Sequence, residues 1–460
     1  MNEPTIGQVK RALDWWSCSE RFRLLVRTDP GGARREFALD FNPDLIRFVW
    51  DPPGSDHPSI RAYHDFVEDK RARRARIRSE SAPDEPRFKA WRARQIARNR
   101  LDSGGYDDDV SHAPVAIELA DGCSVGCWFC GVSAGKLAEV WRYTDANAAL
   151  WRDVVSVLRA TIGEAARWGL LYWATDPLDN PDYEQFALDF SRITGTWPQT
   201  TTALGHTNPP RIRRLLEMSQ ERGCRINRFS VLTGRQLRQI FTEYDPEELT
   251  HVEIVPQMKG GAIPRADAGA FRLRAKTAPA ILDEERRKLT LLAAAQNTIA
   301  PPQAGTIACV SGFLLNMVRR SVKLVSPCRA TEQWPLGYVV YDERTFRDAD
   351  VLNRQLEAMI ASRMPLTIDP DDRIQLNPAL TYTRVADGFQ VTTPMNGLSF
   401  SDPNLAGYVG SIGDRVSGGQ KTAGQIAFSA LFEHGVPETD TLTFLSRLFA
   451  QGVVSAERSS

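Results

Sequence analysis

Short apolar runs alternate with longer amphipathic stretches through the middle of the chain. Six of the runs have the length and composition of β-strands, and helical patterns lie between successive runs. These six runs are "PVAIELA", "LLYWAT", "QTTTAL", "INRFSVLT", "HVEIVPQ" and "TIACVSG". Such alternation predicts an α/β fold with a parallel sheet and outer helices, a full or partial barrel of six units. Functional loops in a sheet of this kind follow the carboxyl ends of the strands.

The pattern changes on both sides of this core and divides the chain into five parts. The predicted parts are a helical N-terminal unit (1–60), a basic helical connector (61–112), the α/β core (113–345), a connecting segment (346–384) and a C-terminal module (385–460). In the first part, Asn42 is a plausible helix cap and Pro43 suits the first turn. The core ends with a predicted hairpin in "FLLNMVRRSVKLVSP" and a strand pair in "WPLGYVVYDERTF".

The C-terminal module combines two amphipathic helices with a final apolar strand, which predicts a winged-helix-like unit. The connector contains the run "DKRARRARIRSE". We favour a solvated, arginine-rich helix for this run over a docking strip for an acidic peptide, and the pattern alone does not separate the two.

Composition narrows the class of protein only a little. Lys plus Arg and Asp plus Glu are 57 each, so net charge gives no sign of a nucleic-acid or membrane partner. No apolar run approaches the ~20 residues of a membrane span, and the polar first residues do not resemble a signal peptide. Seven scattered cysteines do not form a disulfide framework, so we expect a cytoplasmic protein.

Three of the seven cysteines, Cys123, Cys127 and Cys130, lie within eight positions directly after the first predicted strand. The spacing CxxxCxxC lets one short loop present three thiolates to a 4Fe–4S cluster, whose full ligand set is four. A structural zinc site is the weaker alternative, because it normally needs a second ligand pair that this chain lacks. The sequence therefore favours a cluster with one open iron.

The trio, with Phe129 directly before its third member, resembles the signature of the radical S-adenosylmethionine (SAM) enzymes. That resemblance implies a partial (β/α)6 barrel of TIM-like type with the cluster loop after its first strand. It also implies that the amino and carboxylate groups of SAM chelate the fourth iron, which accounts for the missing cysteine. One electron from the cluster would then cleave SAM to a 5′-deoxyadenosyl radical that abstracts a substrate hydrogen.

The same resemblance implies residues that contact SAM. Phe129 would pack near the adenine, and Ser230 would meet the ribose or carboxylate. Thr175 and Asp176 stand where the family usually has a Gly-rich acidic motif for the amino group, although "YWATDPLDNPDYEQF" departs from that motif. Gln257, at the end of "HVEIVPQ", is a further candidate.

Four stretches of residues 10–345 narrow the resemblance: "ALDWWSCSERFRLL", "CSVGCWFCGVSAG", "YWATDPLDNPDYEQF" and "SPCRATEQWPLGYVVYDE". Together they are similar to the proteusin-type peptide epimerases of ribosomal natural-product maturation. The implied reaction removes a Cα hydrogen from an L-residue of a precursor peptide and returns one to the opposite face. A thiol suits the second step because its S–H bond is weak. Cys328, in the stretch most like the family, is our predicted donor, with Cys309 in reserve.

The implied partners are a precursor peptide with its leader and an electron donor such as flavodoxin or ferredoxin. The C-terminal module resembles winged-helix domains that bind leader peptides, and the N-terminal unit is a rival site. No cysteine follows Cys328, so an auxiliary-cluster domain is not expected. Two alternatives stay open: another single-cluster radical SAM modification of a peptide, such as bond cleavage or cross-linking, and a zinc-binding adaptor.

Overall fold

The protein is described here from a computed structural model, for residues 3–50, 57–103, 110–296 and 303–458. Its N-terminal region consists of helices. They are α1 (Ile6–Cys18), α2 (Glu20–Thr28), α3 (Pro30–Glu36), a 3-10 helix (Pro43–Val49), α4 (Pro58–Glu80) and α5 (Pro86–Ser103). The predicted cap is present, because Asn42 accepts the backbone N–H of Asp44 and Pro43 opens the turn.

The core follows with alternating strands and helices. Its elements up to the sixth strand are β1 (Ala113–Glu118), β2 (Ala120–Asp121), β3 (Glu139–Val140), α6 (Asp145–Ile162), α7 (Tyr183–Thr194), β4 (Thr201–Thr202), α8 (Pro209–Glu221), β5 (Asn227–Val231), α9 (Gly234–Glu243) and β6 (Val252–Pro256), with 3-10 helices at Gly163–Trp168 and Pro177–Asp179. It continues with α10 (Gly269–Thr277), α11 (Ala280–Gln296), β7 (Val310–Asn316), β8 (Ser321–Pro327), β9 (Tyr338–Thr345) and α12 (Ala349–Arg363).

These strands form two main sheets. Strands β4, β5 and β6 are parallel neighbours, while the other sheet has the order β1-β7-β8-β9 with β1 and β7 parallel. The fold is therefore mixed α/β, and its sheets are not closed into a barrel. Of the sixth predicted strand, "TIACVSG", only residues 310–312 are extended, and they continue into the first arm of the predicted hairpin as the single strand β7. Strand β7 lies beside β1 on one edge and beside β8 on the other.

Two predicted strands differ from the structure. The run "LLYWAT" contributes only an isolated bridge between Leu170 and Ala116, because the backbone N–H of Ala174 bonds to the Glu118 carboxylate instead of a neighbouring strand. The run "WPLGYVVYDERTF" gives the single strand β9 rather than a pair. Its first residues form a turn in which Gly337 donates to the Trp334 carbonyl at 3.0 Å.

The C-terminal region has its own apolar core. It contains β10 (Arg373–Leu376), β11 (Thr381–Val385), β12 (Gly388–Thr392), β13 (Gly397–Ser401), α13 (Ala406–Gly418), α14 (Ala423–His434), α15 (Glu438–Ala450) and β14 (Val454–Glu457). Strands β11, β12 and β13 form an antiparallel meander, and β10 pairs with β14. Since Ile374 and Leu380 belong to this core, the unit begins before residue 385, where the sequence pattern placed its start.

Within the described residues, no helix combines the length and apolar character needed to cross a membrane.

Candidate functional site

The three clustered cysteines lie on one loop that is closed at its base. The two short strands β2 and β3 pair antiparallel there, and Cys123 bridges to Lys136 inside them. Gly122 has φ +86°, and a Cβ at this position would lie 2.2 Å from the Lys136 carbonyl oxygen. The tight base therefore requires glycine and fixes where the loop begins.

All three thiols are half-buried. Burial raises the pKa of Cys123 to about 11, with the Asp176 and Asp179 carboxylates adding to the effect and backbone N–H groups of Val125 and Asp176 opposing it. Burial also raises the pKa of Cys127 to about 12, and the charges of Cys130 and Cys123 act in the same direction. The thiols are thus close enough to interact, and they would have to lose protons to bind a metal.

The loop provides features that suit a cluster. The Cys130 sulfur accepts the backbone N–H of Ala134 at 3.3 Å, the kind of bond that stabilises a coordinated thiolate. Within the described residues, no set of three or more histidine, cysteine or carboxylate side chains is arranged to hold a metal ion. In a four-iron cluster each thiolate binds a different iron. The three thiols stand on one loop, one for each of three irons of such a cluster.

The tip of the loop rests on the start of α10. Ala270 donates its backbone N–H to the Cys130 carbonyl at 2.9 Å, and Gly269 donates to the Pro335 carbonyl at 2.8 Å. Gly269 has φ +56°, and a Cβ there would lie 2.4 Å from the carbonyl oxygens of both Cys130 and Gly131. The backbone of the cysteine loop and the start of α10 are consequently in direct contact.

A buried arginine joins two of the predicted SAM contacts. The Arg265 guanidinium lies 4.9 Å from the Phe129 ring centroid and donates to the Gln257 carbonyl at 2.5 Å. It also forms a 2.7 Å ion pair with Glu285, which is fully buried. Ser230 lies on the adjacent strand β5, whose last residue, Val231, accepts the Gln257 N–H. Sequence patterns missed Arg265, because its partners are distant in the chain.

The loop after Leu170 docks against the first cysteine. Ser124 donates its N–H to the Asp179 carboxylate at 2.9 Å. The Asp176 carboxylate is bonded inside the protein, to the Thr202 hydroxyl and the Ala203 N–H, both at 2.7 Å, and burial raises its pKa to about 6. Thr175 beside it bonds to the Asp176 carbonyl. Asp176 thus ties this loop to β4, and its backbone N–H faces Cys123.

The two candidate hydrogen donors occupy different surroundings. Cys328 is 1% exposed and lies near Arg98 and Asp102, and burial raises its pKa to about 12. Its N–H bonds to the Gly337 carbonyl, which closes a loop whose Pro335 contacts Gly269. The Cys328 loop and the cysteine loop therefore meet on the same turn of α10.

Cys309 directly precedes β7, and its carbonyl accepts the Ala113 N–H at the start of β1. Burial raises the pKa of its thiol, whereas the nearby Arg228 lowers it. The contacts described for Cys309 do not include Cys123, Cys127 or Cys130.

Fold and site together define a mixed α/β protein with a closed three-cysteine loop beside the end of a strand. No family model matches the chain. The uncharacterized protein y4wI of Sinorhizobium fredii (strain NBRC 101917 / NGR234) is 33% identical over 469 residues, which cover 98% of this chain and 88% of y4wI. This chain belongs to the same family as y4wI.

Among solved structures, the crystal structure of BtrN in complex with AdoMet and 2-DOIA overlaps this chain with a TM-score of 0.25 and 16% sequence identity. The overlap covers 31% of this chain and 55% of BtrN. At that TM-score it carries no argument about fold or function.

Proposed function

We propose that this protein is a radical SAM enzyme whose Cys123, Cys127 and Cys130 hold a 4Fe–4S cluster. The observation that carries the proposal is the loop, closed at its base by β2 and β3, that holds three half-buried thiols within eight residues beside the end of β1. When bound, the cluster supplies the electron that cleaves SAM and so starts hydrogen abstraction. The chain's part is to hold the loop, orient SAM and keep water from the reaction.

Named residues could orient SAM. Arg265 brings the Phe129 ring and the Gln257 backbone together, so an adenine in contact with Phe129 would lie near the carboxyl ends of β5 and β6. Ser230 is on β5 at this edge. The carboxylate of Asp176 is bonded within the protein, so this residue would position the neighbouring Thr175 rather than bind SAM through its own side chain.

The substrate we propose is a ribosomally made precursor peptide, with L-residues epimerised to D-residues. Cys328 would give a hydrogen atom to the Cα radical and be left as a thiyl radical, which one electron from the external donor and one proton from solvent would convert back to the thiol. Its raised pKa keeps the sulfur protonated near neutral pH, as a hydrogen-atom donor must be. The contact of its loop with Gly269, and of Gly269 with Cys130, favours this thiol over Cys309.

We further propose that the C-terminal region binds the leader of that peptide. Strands β11 and β13 are the outer members of the described β11-β12-β13 sheet, and both are largely exposed. A peptide that adds as a strand uses such an edge. Slower amide hydrogen exchange in Gly397–Ser401 or Thr381–Val385 on addition of a precursor peptide is the expected result. Protection only in α1 to α3 would move the leader site to the N-terminal unit.

The cluster proposal is tested by replacing each trio member with Ala. Anaerobically reconstituted wild type should bind about four irons and, with dithionite, cleave SAM without peptide. Each variant should lose SAM cleavage, whereas Cys224→Ala, at a buried cysteine outside the loop, should keep it. Zinc in place of iron, or SAM cleavage by a trio variant, contradicts the proposal.

The epimerase proposal is tested with Cys328→Ala and Cys309→Ala, each co-expressed with a precursor peptide in deuterated water. The wild type should add one deuterium at each inverted Cα. The Cys328 variant should still cleave SAM with peptide present but form no D-residues, while the Cys309 variant should resemble the wild type. Normal D-residue formation without Cys328 refutes the donor assignment. A mass change other than one deuterium per site indicates a different peptide modification.

A further inference from the structure

A second site lies away from the cysteine loop. A solvent-open cavity of about 590 Å³ lies between α4 and residues at or just before the starts of the core strands. Ala113, Ile226 and Cys309 mark the strand starts on its wall, and Arg73 and Arg74 of α4 form the opposite side. The volume is in the range of sites for small ligands.

The cavity is strongly basic. Its lining contains one acidic residue, Asp69, and eight arginines, at positions 73, 74, 76, 78, 167, 222, 225 and 228. Glu253 neutralises only part of this charge, because its single carboxylate pairs with three cations: Arg228, Arg74 and Lys70. Arg76 and Arg167 likewise share Glu80, each at 2.6 Å.

Arg225, which is exposed, and Arg73, which is half-buried, add charge without a carboxylate of their own. Arg73 donates to the Gly223 carbonyl at 3.0 Å, and neither Arg73 nor Arg225 makes an ion pair within the described part of the chain. A rim with positive charge in excess attracts anions.

Hydrogen-bond donors in this wall also lack acceptors. The Nε atom of Arg167 and the Nε1 atoms of Trp168 and Trp197 are buried and have no partner among the described residues. All three residues line the cavity, and Trp197 is 1% exposed. Buried donors are nearly always satisfied in folded proteins. These three N–H groups are sealed from solvent, so a ligand in the cavity would meet the guanidinium groups and aromatic rings of the wall instead.

We propose that this cavity binds a small organic anion that carries phosphate on an aromatic body, of the size of a nucleotide. Arginine forks match phosphate oxygens in geometry and charge. Trp168 and Tyr172, which are half-buried, provide apolar surface for a flat ring. This site does not depend on the proposed radical chemistry.

The test is calorimetric titration of the full chain with ATP, AMP and inorganic phosphate at low salt. Arg225→Glu reverses an exposed rim charge and Arg73→Glu a half-buried one, and Arg235→Glu on α9, which is exposed, is the control matched to Arg225→Glu. ATP should bind more tightly than phosphate. Each rim variant should weaken ATP about tenfold or more, and the control should match the wild type, since bonds to charged groups contribute at least that much.

Three results overturn the proposal. If neither ATP nor AMP binds measurably, the cavity is not a nucleotide site. Equal ATP affinity in the rim variants places the nucleotide elsewhere, for instance at the SAM site. If instead a hexaglutamate peptide binds, loses affinity in both rim variants, and nucleotides do not bind, the cavity is a docking site for acidic peptides. Circular dichroism of each variant confirms that the fold is retained.

Discussion

Gly269 offers a direct test of the contact between α10 and the cysteine loop. A Cβ at this position would lie 2.4 Å from two carbonyl oxygens of the loop, so Gly269→Ala must displace backbone rather than a flexible side chain. Its φ of +56° adds about 1–2 kcal/mol of strain for an L-residue. Overpacking of this kind costs a further 1–3 kcal/mol or so. We expect a total loss of about 2–5 kcal/mol, together with a shifted Cys130.

Gly195 is the matched control. It also has positive φ, +82°, but a Cβ there would meet nothing within 4 Å. Gly195→Ala should therefore cost only the strain, about 1–2 kcal/mol, and leave the loop unchanged. Urea unfolding measures the stability of both variants, and iron content after reconstitution measures the loop. Equal stability and equal iron binding in the two variants would refute the packing argument.

Two further predictions concern buried charge. Arg265→Met should lower the free energy of unfolding by about 3 kcal/mol, because it removes a cation from the buried Glu285, which keeps Lys288 and the backbone N–H of residue 265. Arg265 and the exposed Arg274 both lie over the Trp128 ring, and Arg274→Met should cost under about 1 kcal/mol in the same urea titration. Burial acts to raise the pKa of Glu253, but Lys70, Arg228 and Arg74 outweigh it and lower the pKa to about 2. A carboxyl group with a lowered pKa stabilises the fold above about pH 4.5, and this stabilisation is lost as pH falls towards 2. Glu253→Gln should therefore lower the free energy of unfolding by about 2–3 kcal/mol at pH 7 and by progressively less at lower pH. A difference in stability that does not change with pH would contradict this.

Local patterns predicted the elements that local physics determines. Strand β1 is an unbroken buried run, and the β7–β8 hairpin follows from two apolar stretches around the turn at Arg319 and Arg320. The Asn42 cap needs only its neighbours. Spacing likewise sufficed to single out the cysteine trio, because its members share one loop.

Contacts between distant residues were beyond such patterns. No periodicity links Arg265 to Glu285, or the Asp176 carboxylate to Thr202, although these bonds set the surroundings of Phe129 and Cys123. The pairing of β7 with β1 is also a contact between segments that are distant in the sequence. It depends on which edge of β7 stays open once β8 has paired with the other edge. The predicted start of the C-terminal module at residue 385 is too late because β10, before that position, pairs with β14 at the far end of the module.

The same direction of pKa shift has opposite consequences at the two kinds of cysteine. Cys123 and Cys127 must release protons to bind metal, and their half-exposed loop with inward N–H groups lets a cation drive that release. In the proposed reaction Cys328 would keep its proton, and the surrounding protein leaves it 1% exposed. Gly269 contacts both loops, at the carbonyls of Cys130 and Gly131 on one and of Pro335 on the other, so the start of α10 holds the cysteine loop beside the Cys328 loop. The proposed inversion at a peptide Cα would use that arrangement, because abstraction and return come from separate groups held at a fixed spacing.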